Sequence, residues 1–404
     1  MKNTLNDNQP LTLQTWLSLI ILALSTFTIV TTELAPIGLL TPMAQGLHQS
    51  ESMIGLTVTL YAWVGAISAL LSSLLLGNLP KKMLLLVLTL IILVSNSLCA
   101  SVNNYQWLLA ARVIGALAHG AFWAMIGATA VSLVPARFIG VATSIVFGGV
   151  SAASVFGVPL SNYIGLNLGW RPAFWMMSLL SVITFLGIAF IVPKVKSSST
   201  LGLAALGRVM RSGPLWKIYA ATLLAITAHF AAFTFIEPWL QSVHSLSSRM
   251  IPVMLFVFGI AGLAGNFLTG MLIDKWLKPM VSLSILLIAA VLITLGQWGQ
   301  TLAIGQILAL IVVWGLAVSG IFVGFQTWVL RLAGDNAFPA SAIYVSFFNA
   351  AIGCGALAGA WLVASLSIPV LMSIAGVAIV LSLLLVAIIP VRTEQAAVLT
   401  GGTA

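Results

Sequence analysis

Residues 13–40 read LQTWLSLIILALSTFTIVTTELAPIGLL, and Glu33 is the one ionisable side chain among them. A helix crosses a bilayer in about 20 apolar residues, so this stretch predicts a membrane span. It is far longer than the apolar core of a cleavable leader, and with the polar MKNTLNDNQP before it, it reads as retained. The rest of the chain has the same character: of 404 residues 61% are hydrophobic and 6% charged, with a mean hydropathy of +1.15. Soluble domains carry about 25% charged residues. A water-facing globule and a disordered chain are both excluded, and the apolar complement holds about twelve spans.

Polar breaks place those spans at 13–40, 53–76, 83–100, 107–131, 139–164 and 173–192, then at 215–240, 250–273, 280–298, 302–330, 340–365 and 368–390. The expected architecture is an all-α membrane protein, with a six-helix bundle over 1–192, a cytoplasmic linker at 193–214 carrying a short amphipathic helix, a second bundle over 215–390 and a cytoplasmic tail at 391–404. Short cytoplasmic loops retain Lys and Arg. With the N-terminus inside, Lys2, Lys81, Lys82, Arg137, Lys194, Lys196, Arg208, Arg211, Lys217, Lys275, Lys278, Arg331 and Arg392 fall on that side, and Arg171 and Arg249 on the other. Both termini are thus expected in the cytoplasm. The net charge of +9 is explained by this bias and needs no nucleic acid, whose binders concentrate basic residues on one soluble face.

The halves look like copies. GNLPKKM at 77–83 is matched by DKWLKPM at 274–280, and Glu33 with Pro36 in TTELAP resembles Glu237 with Pro238 in FIEP, 204 residues on. Halves related by an axis along the membrane normal place a cavity between them. No phosphate-binding loop, zinc motif, nucleophile elbow or CxxC occurs, so no enzyme, metal or cofactor is expected, and work against a gradient must draw on an ion or a second solute. Cys99 and Cys354 read as small buried side chains.

Five ionisable groups fall within spans: Glu33, Arg112, His119, His229 and Glu237. Such groups are expensive in a bilayer and normally face a cavity or a partner. They are the candidates for proton coupling. The alternatives are that Glu33 reaches water at its helix end, that Glu237 serves backbone groups freed by Pro238, that Arg112 holds helices together through carbonyls, and that the histidines are interhelical hydrogen-bonders. Arg112 and His119, seven residues apart, lie within about 20° of one helix face. A guanidinium cannot shed its charge, and Glu33 is the expected partner. Tyr61, Trp63, Phe122, Trp123, Phe230, Phe233, Trp239, Gln326 and Asn349 are candidate cargo contacts, with ordinary helix packing as the alternative; Trp16, Trp107, Trp170, Trp276 and Trp298 read as interfacial, and GCGALAG at 353–359 as a close-packing face.

TTELAPIGLL, LLAARVIGALAHGAFWAMIG, GWRPAFW and TAHFAAFTFIEPW resemble the drug:proton antiporters of the major facilitator superfamily, with the bacterial sugar efflux transporters the nearest group. The resemblance spans essentially the whole chain. It implies the major facilitator fold of twelve helices in two pseudo-symmetric six-helix bundles, the bacterial inner membrane, alternating access, and export of sugars in exchange for protons. It puts Arg112 in the fourth-helix motif and Glu33 at the acidic position of the first. Two departures stand out: GNLPKKM lacks the usual aspartate, and in VSAASVFGVP Val158 separates Gly157 from Pro159. The expected mechanism is that a proton from outside neutralises Glu33, frees it from Arg112, and shifts the balance of inward- and outward-open states. Small-molecule cargo, protons and the bilayer are the expected partners of a monomer, with drug or purine nucleoside efflux and a non-transporting receptor or scaffold as rivals.

Overall fold

The computed structural model describes residues 11–76, 78–194 and 203–390. The expected tail and the basic residues Lys2, Lys196 and Arg392 lie outside the described residues. The first half holds α1 (Leu13–Gly38), α2 (Leu40–Leu47), α3 (Glu51–Leu75), α4 (Lys81–Ser101), α5 (Tyr105–Trp123), α6 (Ile126–Ser132), α7 (Ile139–Ala152), α8 (Val158–Leu168) and α9 (Trp170–Phe190). A short α10 (Leu203–Met210) falls in the expected linker. The second half holds α11 (Gly213–Thr234), α12 (Ile236–Ser242), α13 (Ile251–Trp298), α14 (Ile304–Ala333), α15 (Ala337–Ser365) and α16 (Ile368–Ile388).

Ten described helical segments are long and apolar enough to cross a membrane, and α5 with α6, bent by 40°, makes an eleventh. At 48 residues α13 is more than twice the length of a span, and it leaves helical geometry at Trp276 (φ −125°, ψ 29°). Ser319 Oγ of α14 donates to the Gly262 carbonyl at 2.6 Å, while a Cβ on the adjacent Gly320 would sit 2.0 Å from Ser284 Oγ. Straight helix would hold Gly262 and Ser284 ~33 Å apart. The helix therefore turns back near Trp276, and its two arms stand where two spans and a loop were expected. Ten or eleven apolar helices accommodate the twelve expected crossings in this way.

Proline breaks the spans expected at 13–40 and 215–240. The chain leaves the helix at Leu39 (φ −108°, ψ 10°) and at Phe235 (φ −107°, ψ 19°), each three residues before a proline, Pro42 or Pro238. A proline ring collides with the carbonyl four residues back and offers it no N–H. The two breaks are 196 residues apart, and the same interval separates Lys82 from Lys278. Lys82 Nζ donates to the Ala189 carbonyl at 2.8 Å, closing the C-terminus of α9; Lys278 Nζ donates to that of Ala387 at 2.6 Å, closing α16. An ammonium suits the negative end of a helix dipole. The halves therefore repeat at 196 residues, not 204. This corrects the pairing of Glu33 with Glu237: Glu237 is the counterpart of Thr41, and Glu33 of His229.

The fifth expected span contains a π-turn over Ala153–Gly157, where Val158 N–H bonds to the Ala153 carbonyl. A π-turn absorbs one extra residue, and Val158, between Gly157 and Pro159, is that residue. At mid-depth the halves meet through glycines: a Cβ on Gly259 of α13 would sit 2.4 Å from the Ser154 carbonyl, and one on Gly353 of α15 2.3 Å from Trp63. They meet again where α2 and α12 come together. The start of α4 and the turn of α13, whose lysines close the ends of α9 and α16, lie at the other end of the bundle. Trp16, Trp107, Trp276 and Trp298 are exposed, but Trp170 is buried, lying beneath Arg171 and against Gly46, so it is a core side chain and not an interfacial one.

Candidate functional site

In the first half the candidate residues converge on the point where Pro36 interrupts the bonding of α1. Pro36 cannot donate to the carbonyl of Thr32. Arg112, fully buried on α5, does so: Nη1 reaches Thr32 O at 2.6 Å and Nη2 reaches the main-chain carbonyl of Glu33 at 3.1 Å. Its Cζ lies 3.9 Å above the Tyr61 ring, which stabilises the cation. The expected ion pair between Arg112 and the Glu33 carboxylate is not made. The proline-freed carbonyl is the better-placed acceptor, and it takes the guanidinium first. The second half repeats the logic in reverse: Ala232 stands at the place of Pro36, and leucine (Leu308) at that of Arg112.

The Glu33 carboxyl group turns instead to His119, with Oε2 3.6 Å from Nε2. Trp123, one turn further along α5, donates its indole N–H to the same His119 Nε2 at 3.1 Å. An indole nitrogen only donates, so Nε2 carries no proton and the neutral ring holds its hydrogen on Nδ1. Glu33 is thus buried beside a neutral imidazole. Arg112 and His119 do share a face, as their spacing predicts, since His119 meets the same Tyr61 ring edge-on at 5.3 Å. Six buried polar atoms here, Glu33 Oε1, Tyr61 Oη, Asn96 Oδ1, Arg112 Nε, His119 Nδ1 and Asn349 Oδ1, have no hydrogen-bond partner among the described residues. Asn349 comes from the second half, on α15, and its Oδ1 and the His119 ring both lie within 4 Å of where a Cβ on Gly65 would stand.

His229 occupies the equivalent place in the second half. Trp314 donates to its Nδ1 at 3.2 Å, so this ring too is neutral there. Phe233 stacks on it at 5.4 Å, and Phe230 and Phe322 meet it edge-on at 5.0 and 5.7 Å. Trp314 is the counterpart of His119 within one residue, so Glu33 with His119 and His229 with Trp314 are corresponding pairs, one polar and one aromatic. Sequence reasoning missed Trp314, Phe322 and Asn96; the 196-residue register would have pointed to the first.

The other candidates lie apart. Phe122 is fully buried in the first-half core, Trp239 packs beneath Gly299 at the α12 end, and Trp63 is wedged against Gly353. Gln326 donates to Ser341 Oγ at 2.6 Å. Glu237 is buried near the α2–α12 junction, with Oε2 accepting from Thr41 N–H at 3.0 Å and Oε1 from Gln241 Nε2 at 2.7 Å. Pro42 also frees a carbonyl, that of Gly38, and Asn162 Nδ2 claims it at 2.7 Å.

The sequence pattern of the Major Facilitator Superfamily matches residues 16–339. In three dimensions the chain is similar to the human organic anion transporter MFSD10 (TETRAN), with a TM-score of 0.68 and 16% identity over 94% of this chain and 100% of that one. At that identity the likeness is one of fold.

Proposed function

The chain belongs to the Major Facilitator Superfamily and is a membrane transporter, and on that premise we propose that it exports a neutral, sugar-like solute in exchange for protons. Residues 1–192 and 215–390 act as two rocking bundles joined by 193–214, with the 391–404 tail and the lysine-bearing end in the cytoplasm of a bacterial inner membrane, as a monomer. The observation that carries the reading is the Glu33 carboxyl group, buried 3.6 Å from an imidazole nitrogen that bears no proton. A buried carboxylate with no hydrogen-bond donor at its oxygens, beside a guanidinium already turned to main-chain carbonyls, is costly, whereas the same group holding a proton is neutral. Glu33 thus gains a proton in one state and loses it in the other, where water reaches it. His119 and His229 stand ready as relays, and Arg112 holds α1 to α5.

The cargo is neutral because Arg112, the one cation of the site, already spends both Nη groups on carbonyls. The six unpartnered polar atoms, donors and acceptors together, suit the hydroxyls of a mono- or disaccharide. The aromatic set around His229 favours a second reading, in which a drug or a purine nucleoside stacks on Phe230 and Phe322.

Purified protein in proteoliposomes, under an imposed pH difference, tests both. Sugars are expected to accumulate and to compete with one another, and lipophilic cations and nucleosides are not. Glu33→Gln is expected to exchange sugar down its gradient while losing proton-driven accumulation. Full accumulation by Glu33→Gln would overturn the coupling role.

A further inference from the structure

Thr41 and Glu237 are counterparts in the 196-residue repeat, and they bond to each other. A contact between counterparts lies on the axis relating the two halves, as in a self-complementary dimer interface. Thr41 is the second residue of α2, where the helix has no earlier carbonyl to take its N–H. Glu237 Oε2 takes it, across the boundary between the halves, and Gln241 Nε2 holds Oε1 from one turn along α12. Both carboxyl oxygens therefore accept. An ionised carboxylate can do this, and a protonated one must give up an acceptor position to its own hydrogen.

Glu237 is fully buried, and the junction opens to a cleft on its Thr41 side. The cleft, of about 700 Å³, is lined by Thr41, Gln45, His48, Glu51, Val363 and Ala364 among others, and Thr41 Oγ1 donates to Glu51 Oε1 at 3.0 Å. The elements packed on α12 bring few other charges. From α1 comes Glu33 and from the end of α2 His48; α11 carries His229, with Lys217 and Tyr219 near its other end; α13 carries Asp274, Lys275 and Lys278 around its turn; α16 carries none. Among the described residues no cation bonds to Glu237, and its two oxygens are held by the Thr41 and Gln241 N–H groups.

We propose that Glu237 is a proton-operated latch: ionised, it ties α12 to the start of α2 and closes the outer end of the transporter, and a proton arriving through the cleft releases Thr41 and lets the halves part. The inference rests on the alternating-access reading above and adds a second proton site, separate from Glu33.

Spin labels at the exposed positions Gln45 and Ser245, in a Cys99→Ala, Cys354→Ala background, report the outer separation by pulsed electron resonance in nanodiscs without cargo. The wild-type chain is expected to give one short distance at pH 8 and a growing longer population toward pH 5, the ratio changing by up to about ten-fold per pH unit. Glu237→Gln, which offers one acceptor where two are needed, is expected to show the longer population at pH 8 with little pH response. Gln241→Leu, a milder change, should move the opening to higher pH. A wild-type distance that ignores pH, or a Glu237→Gln chain that stays closed and still responds, overturns the latch. The Glu33→Gln chain separates the two readings: if it alone abolishes the outer response, the latch is wrong and Glu33 coupling stands, while an intact outer response with no proton-driven flux in the wild type leaves the latch standing and removes the coupling.

Discussion

Thr32 has a carbonyl that its own helix cannot serve, because Pro36 supplies no N–H, and Arg112 exists in this fold to serve it. The sequence showed a buried cation in need of a partner and offered Glu33 and Glu237 as carboxylates. It did not show that a backbone oxygen would win, since the freed carbonyl becomes a competitor only once α5 is placed against α1. Arg112→Leu is therefore expected to destabilise the protein by about 1–3 kcal/mol, the cost of a buried polar group left unpaired. Adding Pro36→Ala should recover part of the loss by returning an N–H to Thr32. Thermal unfolding in detergent measures both, and an absence of recovery would point back to an ion pair with Glu33. His119 and His229 were legible as rare buried imidazoles, but the tautomer of each follows from an indole donor, and one of these, Trp314, lies 85 residues away in sequence.

Among the elements, α15 shows most clearly how small residues decide packing. Gly353 faces α3 of the first half, while Gly355 faces α11, where an added Cβ would lie 2.5 Å from the Thr227 carbonyl and 2.9 Å from the Ala231 nitrogen. Both are backbone atoms and cannot swing aside. Gly355→Val is expected to force α15 off α11 and lose about 1–3 kcal/mol. Gly270→Ala, where a Cβ meets nothing within 4 Å, should be neutral or gain up to about 1 kcal/mol from helix propensity. Comparative thermal unfolding of the two variants checks the contrast. The run GCGALAG announced a close-packing face, but not that successive glycines serve different neighbours. Pro42, Pro238 and Pro279, each three residues beyond the departure from helical geometry at Leu39, Phe235 and Trp276, marked all three breaks in the sequence, but not that at Trp276 the chain turns back without leaving the helical hydrogen-bond pattern.

For the molecule as a whole, a neutral cargo leaving as a proton enters moves one net charge per turnover. The membrane potential then contributes about 2.3 kcal/mol per 100 mV, roughly fifty-fold in the cargo gradient. Sugar accumulation in proteoliposomes with a potassium-clamped potential is expected to follow that slope at constant pH difference, and a gradient indifferent to potential would exclude one-for-one exchange of a proton with a neutral sugar. Composition alone determined that this chain lives in a membrane as bundled helices, because 61% hydrophobic residues cannot be coated by 6% charged ones, and hydropathy located the spans because their period and length are local properties. The register between the halves, the choice of acceptor for Arg112 and the bond from Thr41 to Glu237 were decided only by the tertiary structure. Each depends on which of several chemically suitable groups arrives within about 3 Å, and that distance is set by helices packing against helices, not by spacing along the chain.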